Sequence, residues 1–237
     1  MKLETFNIRH GGGTRVTQII ESISAHNPDY LLLTEFRNNK NGERIQSLLV
    51  SRGYVHQIAG DVEANINTVL FASKAKFDDA YFYDDLGVHS HRLLKVKFAN
   101  FSIVGFYFPQ KNEKVTVFEK LYKLFKESST TPMIALGDLN TGKHRIDEVG
   151  KSFYAAEYID LIEEIGVDAY RKYHGDKKEF SWFSSRGNGF RIDHAFVTEP
   201  MLNLLEGVNY SHAERENKIS DHSALIVNFE INEKREV

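Results

Sequence analysis

Short apolar runs with an acid at one end are what most limit the architecture of this chain. Met133-Ile134-Ala135-Leu136 runs into Gly137-Asp138-Leu139-Asn140. Arg191-Ile192-Asp193-His194 leads into Ala195-Phe196-Val197, and Ser220-Asp221-His222-Ser223 leads into Ala224-Leu225-Ile226-Val227. A carboxylate at the lip of an apolar core is costly unless it pairs, holds a metal or does chemistry. Three such acids at strand edges, two of them beside a histidine, predict one assembled polar site.

The rest of the chain supplies strands and helices to support it. Strands are expected over Leu3–Ile8, Tyr30–Thr34, Tyr54–Ile58, Thr68–Ala72, Leu93–Phe98, Ser102–Phe108, Met133–Leu136, Phe180–Phe183, Ile192–Thr198 and Ala224–Ile231. Helical spacing marks Thr14–His26, where Val16, Ile19, Ile20 and Ile23 share a face and Asn27-Pro28 ends the run. Further helices fit Gly42–Ser51, Glu113–Glu127 and part of Phe153–Gly166. Both halves run strand, helix, strand and then more strands, which predicts an α/β fold with two sheets packed face to face and helices outside. No linker divides the chain, and residues 1–237 are expected to form one domain.

Composition removes several classes. With 41% hydrophobic and 27% charged residues, the chain is ordinary globular material rather than a disordered one. The lack of cysteine excludes disulfides, thiolate metal sites and cysteine nucleophiles. The net charge of −3 argues against a non-specific polyanion binder, though a local basic rim and a bound cation can still receive a phosphodiester. With no membrane-length apolar run and no signal-like N-terminus, the expectation is a cytoplasmic protein without a membrane or an obligate protein partner.

Asn7 and Glu35 each close an apolar run and can face one cleft, where their hard oxygens suit Mg2+ or Mn2+. Asp138 and Asn140 leave their strand through Gly137; they form either a site for water and phosphate or an Asx turn. A carboxylate at Asp193 behind an imidazole at His222 would fix its tautomer and favour its protonated form. Asp221 points the other way in an extended chain and can reach a metal. His26, His56, His174 and His212 read as surface or loop residues, and His194 as a bystander. The glycines after Arg9-His10 form a turn that can also cradle phosphate.

In this order, these residues resemble the endonuclease/exonuclease/phosphatase superfamily, nearest to exonuclease III and the apurinic-site endonucleases. The resemblance is carried by Phe6-Asn7-Ile8-Arg9, Leu33-Thr34-Glu35, Tyr107-Phe108-Pro109-Gln110, Gly137-Asp138-Leu139-Asn140 with Ile146-Asp147, Gly166-Val167-Asp168-Ala169-Tyr170-Arg171, Phe180-Ser181-Trp182-Phe183, Gly189-Phe190-Arg191-Ile192-Asp193 and Ser220-Asp221-His222. It implies a four-layer α/β/β/α sandwich of the deoxyribonuclease I type and a divalent-metal-dependent phosphodiester hydrolase acting on DNA. It implies Glu35 as metal ligand with Asn7 and Asp221 nearby, and Mg2+ or Mn2+ as the cofactor. Asp138 would handle the attacking water, Asn140 and Tyr107 would contact the phosphate, and His222, oriented by Asp193, would stabilise developing charge. Trp182 and Phe190 stand where apurinic-site enzymes place a pocket for a base-less sugar; simple core packing is the competing role for the lone tryptophan.

The departures are informative. Arg9 stands where apurinic-site enzymes carry Asn or Asp, trading an oxygen ligand for a phosphate-binding cation and weakening the case for a second metal. Thr34 replaces the usual Gln. The Trp-x-Gly-Asp-x-Asn and Pro-x-Trp-Cys-Asp-Arg segments of inositol phosphatases are missing, which lowers a small- or lipid-phosphate reading. An RNA nuclease remains an alternative. A silent binding module should have lost these polar side chains, and it has not.

Overall fold

The computed structural model describes residues 1–230. In chain order its strands are β1 (Lys2–Asn7), β2 (Tyr30–Phe36), β3 (His56–Ala59), β4 (Thr68–Ser73), β5 (Asp79–Phe82), β6 (Leu93–Lys97) and β7 (Ser102–Tyr107). They continue with β8 (Met133–Asp138), β9 (Val167–Asp168), β10 (Trp182–Phe183), β11 (Gly189–Phe190), β12 (Asp193–Val197), β13 (Leu205–Ser211) and β14 (Ala224–Phe229). One six-stranded sheet has the order β13-β14-β1-β2-β4-β3 and the other β5-β6-β7-β8-β12-β9; β10 and β11 form a separate ribbon. Among the described residues only β1–β2 and β7–β8 pair in parallel. Parallel neighbours need a crossover, supplied by α1 (Val16–His26) in the first sheet and α3 (Lys114–Glu127) in the second.

Strand alternation divides the core into three apolar layers. Leu3, Leu32, Phe71, Ile103, Ile134, Leu136, Ala195 and Leu225 meet between the sheets. Their neighbours turn outward: Phe6, Leu31 and Leu33 pack with Ile19 and Ile23 of α1 and with Ile45 of α2 (Lys40–Ser51). Val104, Phe106 and Ala135 pack with Phe118 and Leu121 of α3 and with Ile159 of α4 (Glu157–Glu163). The result is the α/β sandwich of two sheets flanked by helices.

Several boundaries differ from the sequence expectation. The first long helix begins at Val16, because residues 10–15 form a kinked 3-10 turn. The strand expected at Tyr54–Ile58 pairs instead over His56–Ala59, and β5, β9, β11 and β13 were not foreseen. In β13 Val208 and Tyr210 are buried and Asn209 exposed, but a bulge between Leu205 and Gly207 breaks the period before them. Ile231, the expected end of the last strand, lies outside the described residues.

A buried ion network pins the second sheet to its loops. Arg191 is fully buried and forks onto Asp147 (Nε to Oδ1 2.6 Å, Nη2 to Oδ2 3.1 Å) and onto Asp168 (Nη2 to Oδ2 2.5 Å). Arg171 also reaches Asp147, and His194 Nδ1 lies 3.6 Å from Asp168. Asp168 caps α5 (Ala169–His174) by accepting from Arg171 N. Burial pushes both carboxyl groups up, but the guanidinium charge outweighs it and holds them below the usual carboxylate range. Stability from such depressed groups is present above an unfolded carboxylate pKa of about 4 and is lost as pH falls through their folded values. Arg191→Leu should therefore cost about 3–5 kcal/mol at pH 7 by stranding buried charge. In urea titrations the deficit should narrow toward pH 4 as those carboxylates protonate; a pH-independent deficit would contradict this account.

Candidate active site

The alternation that fills the space between the sheets also builds the site. Leu3, Thr5 and Asn7 share one face of β1. So do Ile134, Leu136 and Asp138 on β8, Ile103, Gly105 and Tyr107 on β7, and Val197, Ala195 and Asp193 on β12. Each apolar ladder thus ends in a polar residue at the same lip of the sandwich. Register aligns them further: Asp138 sits opposite Tyr107 on one side and Asp193 on the other.

Glu35 breaks this rule. By alternation it should follow Leu31 and Leu33 toward the helices. Instead the β2–β4 register shifts between Thr34 and Phe36, and Glu35 adopts φ 55°. The bulge re-aims its carboxylate into the cleft. There Oε1 accepts from Asn7 Nδ2 at 3.2 Å, with Tyr107 Oη 3.5 Å away, and Oε2 accepts from His10 N at 2.8 Å. Asn7 is fully buried and its amide also donates to Asp138 Oδ2 at 3.0 Å, while its own oxygen accepts from Arg9 N. In this orientation Asn7 clips two carboxylates together, and its oxygen, which accepts one bond, keeps a lone pair for a cation.

His10 reaches Glu35 because residues 9–13 all have positive φ. Three glycines let the chain hold that left-handed turn. Arg15 then fastens it, donating to Arg9 O (2.8 Å) and to Ile219 O (2.6 Å) across the cleft floor. Ser220 Oγ donates to Asn7 O at 2.6 Å. These two bonds bring the Ser220-Asp221-His222 segment to β1.

His222 Nδ1 lies 2.8 Å from Asp193 Oδ2. Burial alone would lower the imidazole; Asp193, then Asp138 and Asp221, lift it to about 10, so it is a cation at neutral pH. Asp138 is raised to about 7, first by burial and then by the Asp193 charge. Tyr107 is pushed up to about 12 by burial, Glu35 and Asp138, so its phenol keeps its proton. Asp138, Asp193 and His222 each offer a ligand atom within 4.8 Å of the others. With His222 protonated they form an ion triad, and they become a cation site only when the imidazole is neutral.

Asn140 forms the Asx turn its sequence allowed. Its N–H closes an Asx turn on Asp138 Oδ1 at 2.7 Å, and it sits at the site with φ 52°. Its side chain is held by Phe108 O and Gln110. Gly137 makes this exit possible: a Cβ there would lie 1.9 Å from Phe106 O. Beneath the turn, buried Lys114 donates to Asn140 O (2.6 Å) and Leu139 O (3.2 Å), and burial pulls its ammonium down to about 8. Asp221 turns toward Trp182 Nε1 (3.2 Å) and Arg9 Nε (3.9 Å). Trp182 is half-buried and belongs to a cavity wall, so core packing is not its role.

The donor set suits a hard cation. Glu35 and Asp221 open on one cavity of about 520 Å³. Cations already stand among the site acids, His222 and Arg9 with Arg15 near Asp221 and Glu35 and Lys114 near Asp138. Carboxylate oxygens that open on a cleft are what a divalent cation such as Mg2+ needs, since it binds through one or two carboxylates and keeps room for water and phosphate.

Sequence reasoning found Asn7, Arg9, Glu35, Tyr107, Asp138, Asn140, Asp193, Asp221 and His222, and the structure gathers them. It missed His10, Arg15 and Lys114, whose roles depend on distant partners. The histidines read as surface groups are also engaged: His26 Nδ1 lies 3.2 Å from buried Glu4, and His212 pairs with Glu179 at 3.0 Å.

Lys114→Met should cost about 1–3 kcal/mol by leaving two buried carbonyls without a donor. It should also speed hydrogen exchange at the Asn140 amide. Unchanged stability and exchange would remove Lys114 from the support of this turn.

A model of the Endonuclease/Exonuclease/phosphatase family matches residues 5–222. Among solved structures, an AP endonuclease from Archaeoglobus fulgidus is 22% identical, with a TM-score of 0.85 over 98% of this chain and 100% of that one. A 3'-5' exonuclease from Neisseria meningitidis is 20% identical with a TM-score of 0.84, covering 98% of this chain and 100% of that one. A Neisseria 3' phosphatase bound to product DNA hairpin is 19% identical with a TM-score of 0.83 at the same coverages. At these identities the likeness establishes the fold.

Proposed function

This chain belongs to the endonuclease/exonuclease/phosphatase family, and we propose that it is a divalent-metal-dependent phosphodiester hydrolase acting on DNA, with residues 1–237 as one catalytic domain. The observation that carries the reading is the convergence of Glu35, Tyr107, Asp138, Asp193 and His222 on one lip of the sandwich. Similarity to an AP endonuclease, a 3'-5' exonuclease and a 3' phosphatase with product DNA supports DNA as the polymer. Arg9, with 56% of its side chain exposed, and Lys111 on the cavity wall supply local positive charge that the net charge of −3 hides.

In this reading the scissile phosphate lies between Tyr107 and His222. Asp138 receives only neutral amide donors, from Asn7 and Asn140, and these leave lone pairs on a two-oxygen carboxylate. It orients the attacking water and takes its proton as the water oxygen bonds to phosphorus. Tyr107 donates its phenol hydrogen to a non-bridging oxygen. His222, held by Asp193, sets its positive charge against the charge that grows on phosphate. The bond from phosphorus to the leaving sugar oxygen then breaks. Glu35 and Asp221 would hold the cation, with Asn7 fixing Glu35, and a bound Mg2+ or Mn2+ supplies Lewis-acid stabilisation of the phosphate and leaving oxygens.

Asp138→Asn should lower kcat on DNA by about 10²–10⁴-fold while the thermal midpoint holds or rises. The substrate panel is abasic duplex, intact duplex, single-stranded DNA, RNA and an inositol phosphate, each with Mg2+ and with Mn2+. Turnover of the inositol phosphate alone would favour a small-phosphate enzyme. Full activity in the Asp138→Asn variant would move water activation elsewhere.

A further inference from the structure

We infer that the cavity beside the reaction centre receives an intact, base-bearing nucleotide unstacked from its neighbours, rather than a base-less sugar. The inference rests on the phosphodiesterase reading and names the unit bound next to the scissile phosphate. The cavity begins at Glu35, Asn140, Asp221 and His222 and extends along an aromatic wall. Along that wall Trp182 stands 6.5 Å from the His222 ring, Phe190 5.7 Å from Trp182, and Phe153 5.6 Å from Phe190, all as ring centroids. Tyr154 continues the lining with 51% of its surface exposed.

Size separates the two occupants. The 520 Å³ also takes in Glu35, Asn140, Asp221 and His222, so the scissile phosphate and a cation fill part of it. The aromatic wall beyond His222 runs on through ring-to-ring steps of 6.5, 5.7 and 5.6 Å, and a deoxyribose without its base would touch only the first of these rings. A pocket that rejects bases must be too small for one, because an open apolar pocket discriminates poorly against added atoms that fit. The ring faces suit a base, which stacks on aromatics whatever its identity. Gln110, Lys111, Ser152 and Ser184 add polar groups to the same lining.

The wall is held in place before any ligand arrives. Arg191 N donates to Asp147 O at 2.9 Å beside the buried guanidinium fork. Thr141 Oγ1 donates to Tyr154 O at 2.8 Å, and Ser152 N to Glu148 Oε1 at 2.8 Å. The loop bearing Phe153 and Tyr154 is thus tied to the strand bearing Asp193.

Trp182 is the only tryptophan of the chain, so its fluorescence reports on this wall alone. The test titrates the Asp138→Asn protein, with Mg2+, against hairpin duplexes that differ in one unpaired unit. That unit is guanine or its base-less tetrahydrofuran analogue, placed as an internal bulge or as a 3' overhang. Free dGMP is a further arm. The guanine hairpins should quench Trp182 and bind about 5- to 150-fold more tightly than the tetrahydrofuran hairpins. Phe153→Ala and Tyr154→Ala, each checked by its thermal melt, should shrink that preference. Quenching by dGMP at comparable concentration would assign the pocket to free nucleotides; quenching by the hairpins alone would assign it to a strand. Equal affinity and equal quenching by the tetrahydrofuran hairpins, or no quenching by any ligand, would overturn the inference. Hydrolysis of bis(p-nitrophenyl) phosphate by the unaltered protein with Mn2+ tests the phosphodiesterase reading separately. Turnover there, with no preference for the base, would sink the pocket and leave the enzyme.

Discussion

Asp138 and Asp193 are buried neighbours across β8 and β12, and two carboxylates in that position repel. The His222 imidazolium, 2.8 Å from Asp193, is what makes the pair tolerable. Much of the surrounding architecture serves that one contact. His222 belongs to the last strand's approach and must be carried to the second sheet from the first. Ser220 and Arg15 do so through bonds to Asn7 O and Ile219 O. The same bonds bring Asp221 to the cavity. Loss of the imidazole would therefore leave buried like charges facing each other as well as remove a cation.

The sandwich makes such a site almost unavoidable at one edge. Two sheets packed face to face need apolar inner faces, and period-two alternation supplies them. Where strands leave the core, the next inward position is no longer covered by the opposite sheet and can be polar. Asn7, Tyr107, Asp138 and Asp193 all occupy that last inward position. Glu35 gains access only through a bulge, a left-handed residue that the paired strands on either side hold in place.

This explains which parts were legible in the sequence. The ladder-ending residues could be read because strand alternation is local and each follows an apolar run. Gly137 could be read because the exit it permits is also local. The direction of Glu35 could not: alternation places it on the helical face, and a bulge has no dependable signature in one strand. Arg15, Lys114 and Arg191 were invisible as supports because their partners lie far away along the chain. Nothing near Lys114 in sequence says that its ammonium will sit under the turn at Asn140. Strand β13 was missed because its alternating stretch, residues 208–211, is short and the bulge between Leu205 and Gly207 breaks the period before it.

Two polar networks lie close together here, and access to the cleft tells them apart. Arg191 and Arg171 face Asp147 and Asp168, and the charges cancel inside the fold. That network is self-sufficient and holds loops to a strand. At the lip, His222, Arg9, Arg15 and Lys114 stand among Glu35, Asp138, Asp193 and Asp221, so net charge alone does not mark the site. What marks it is that Glu35 and Asp221 open on the cavity, with Arg9 Nε 3.9 Å from Asp221. A purely structural ion pair gains from closing water out and bonding every oxygen. A site that must accept a cation together with an anionic phosphate needs carboxylate oxygens left open, since such a cation takes one or two carboxylates beside water and phosphate. Open acids at the lip and a closed network beneath them are thus the physical grounds for locating chemistry at the lip and rigidity below it.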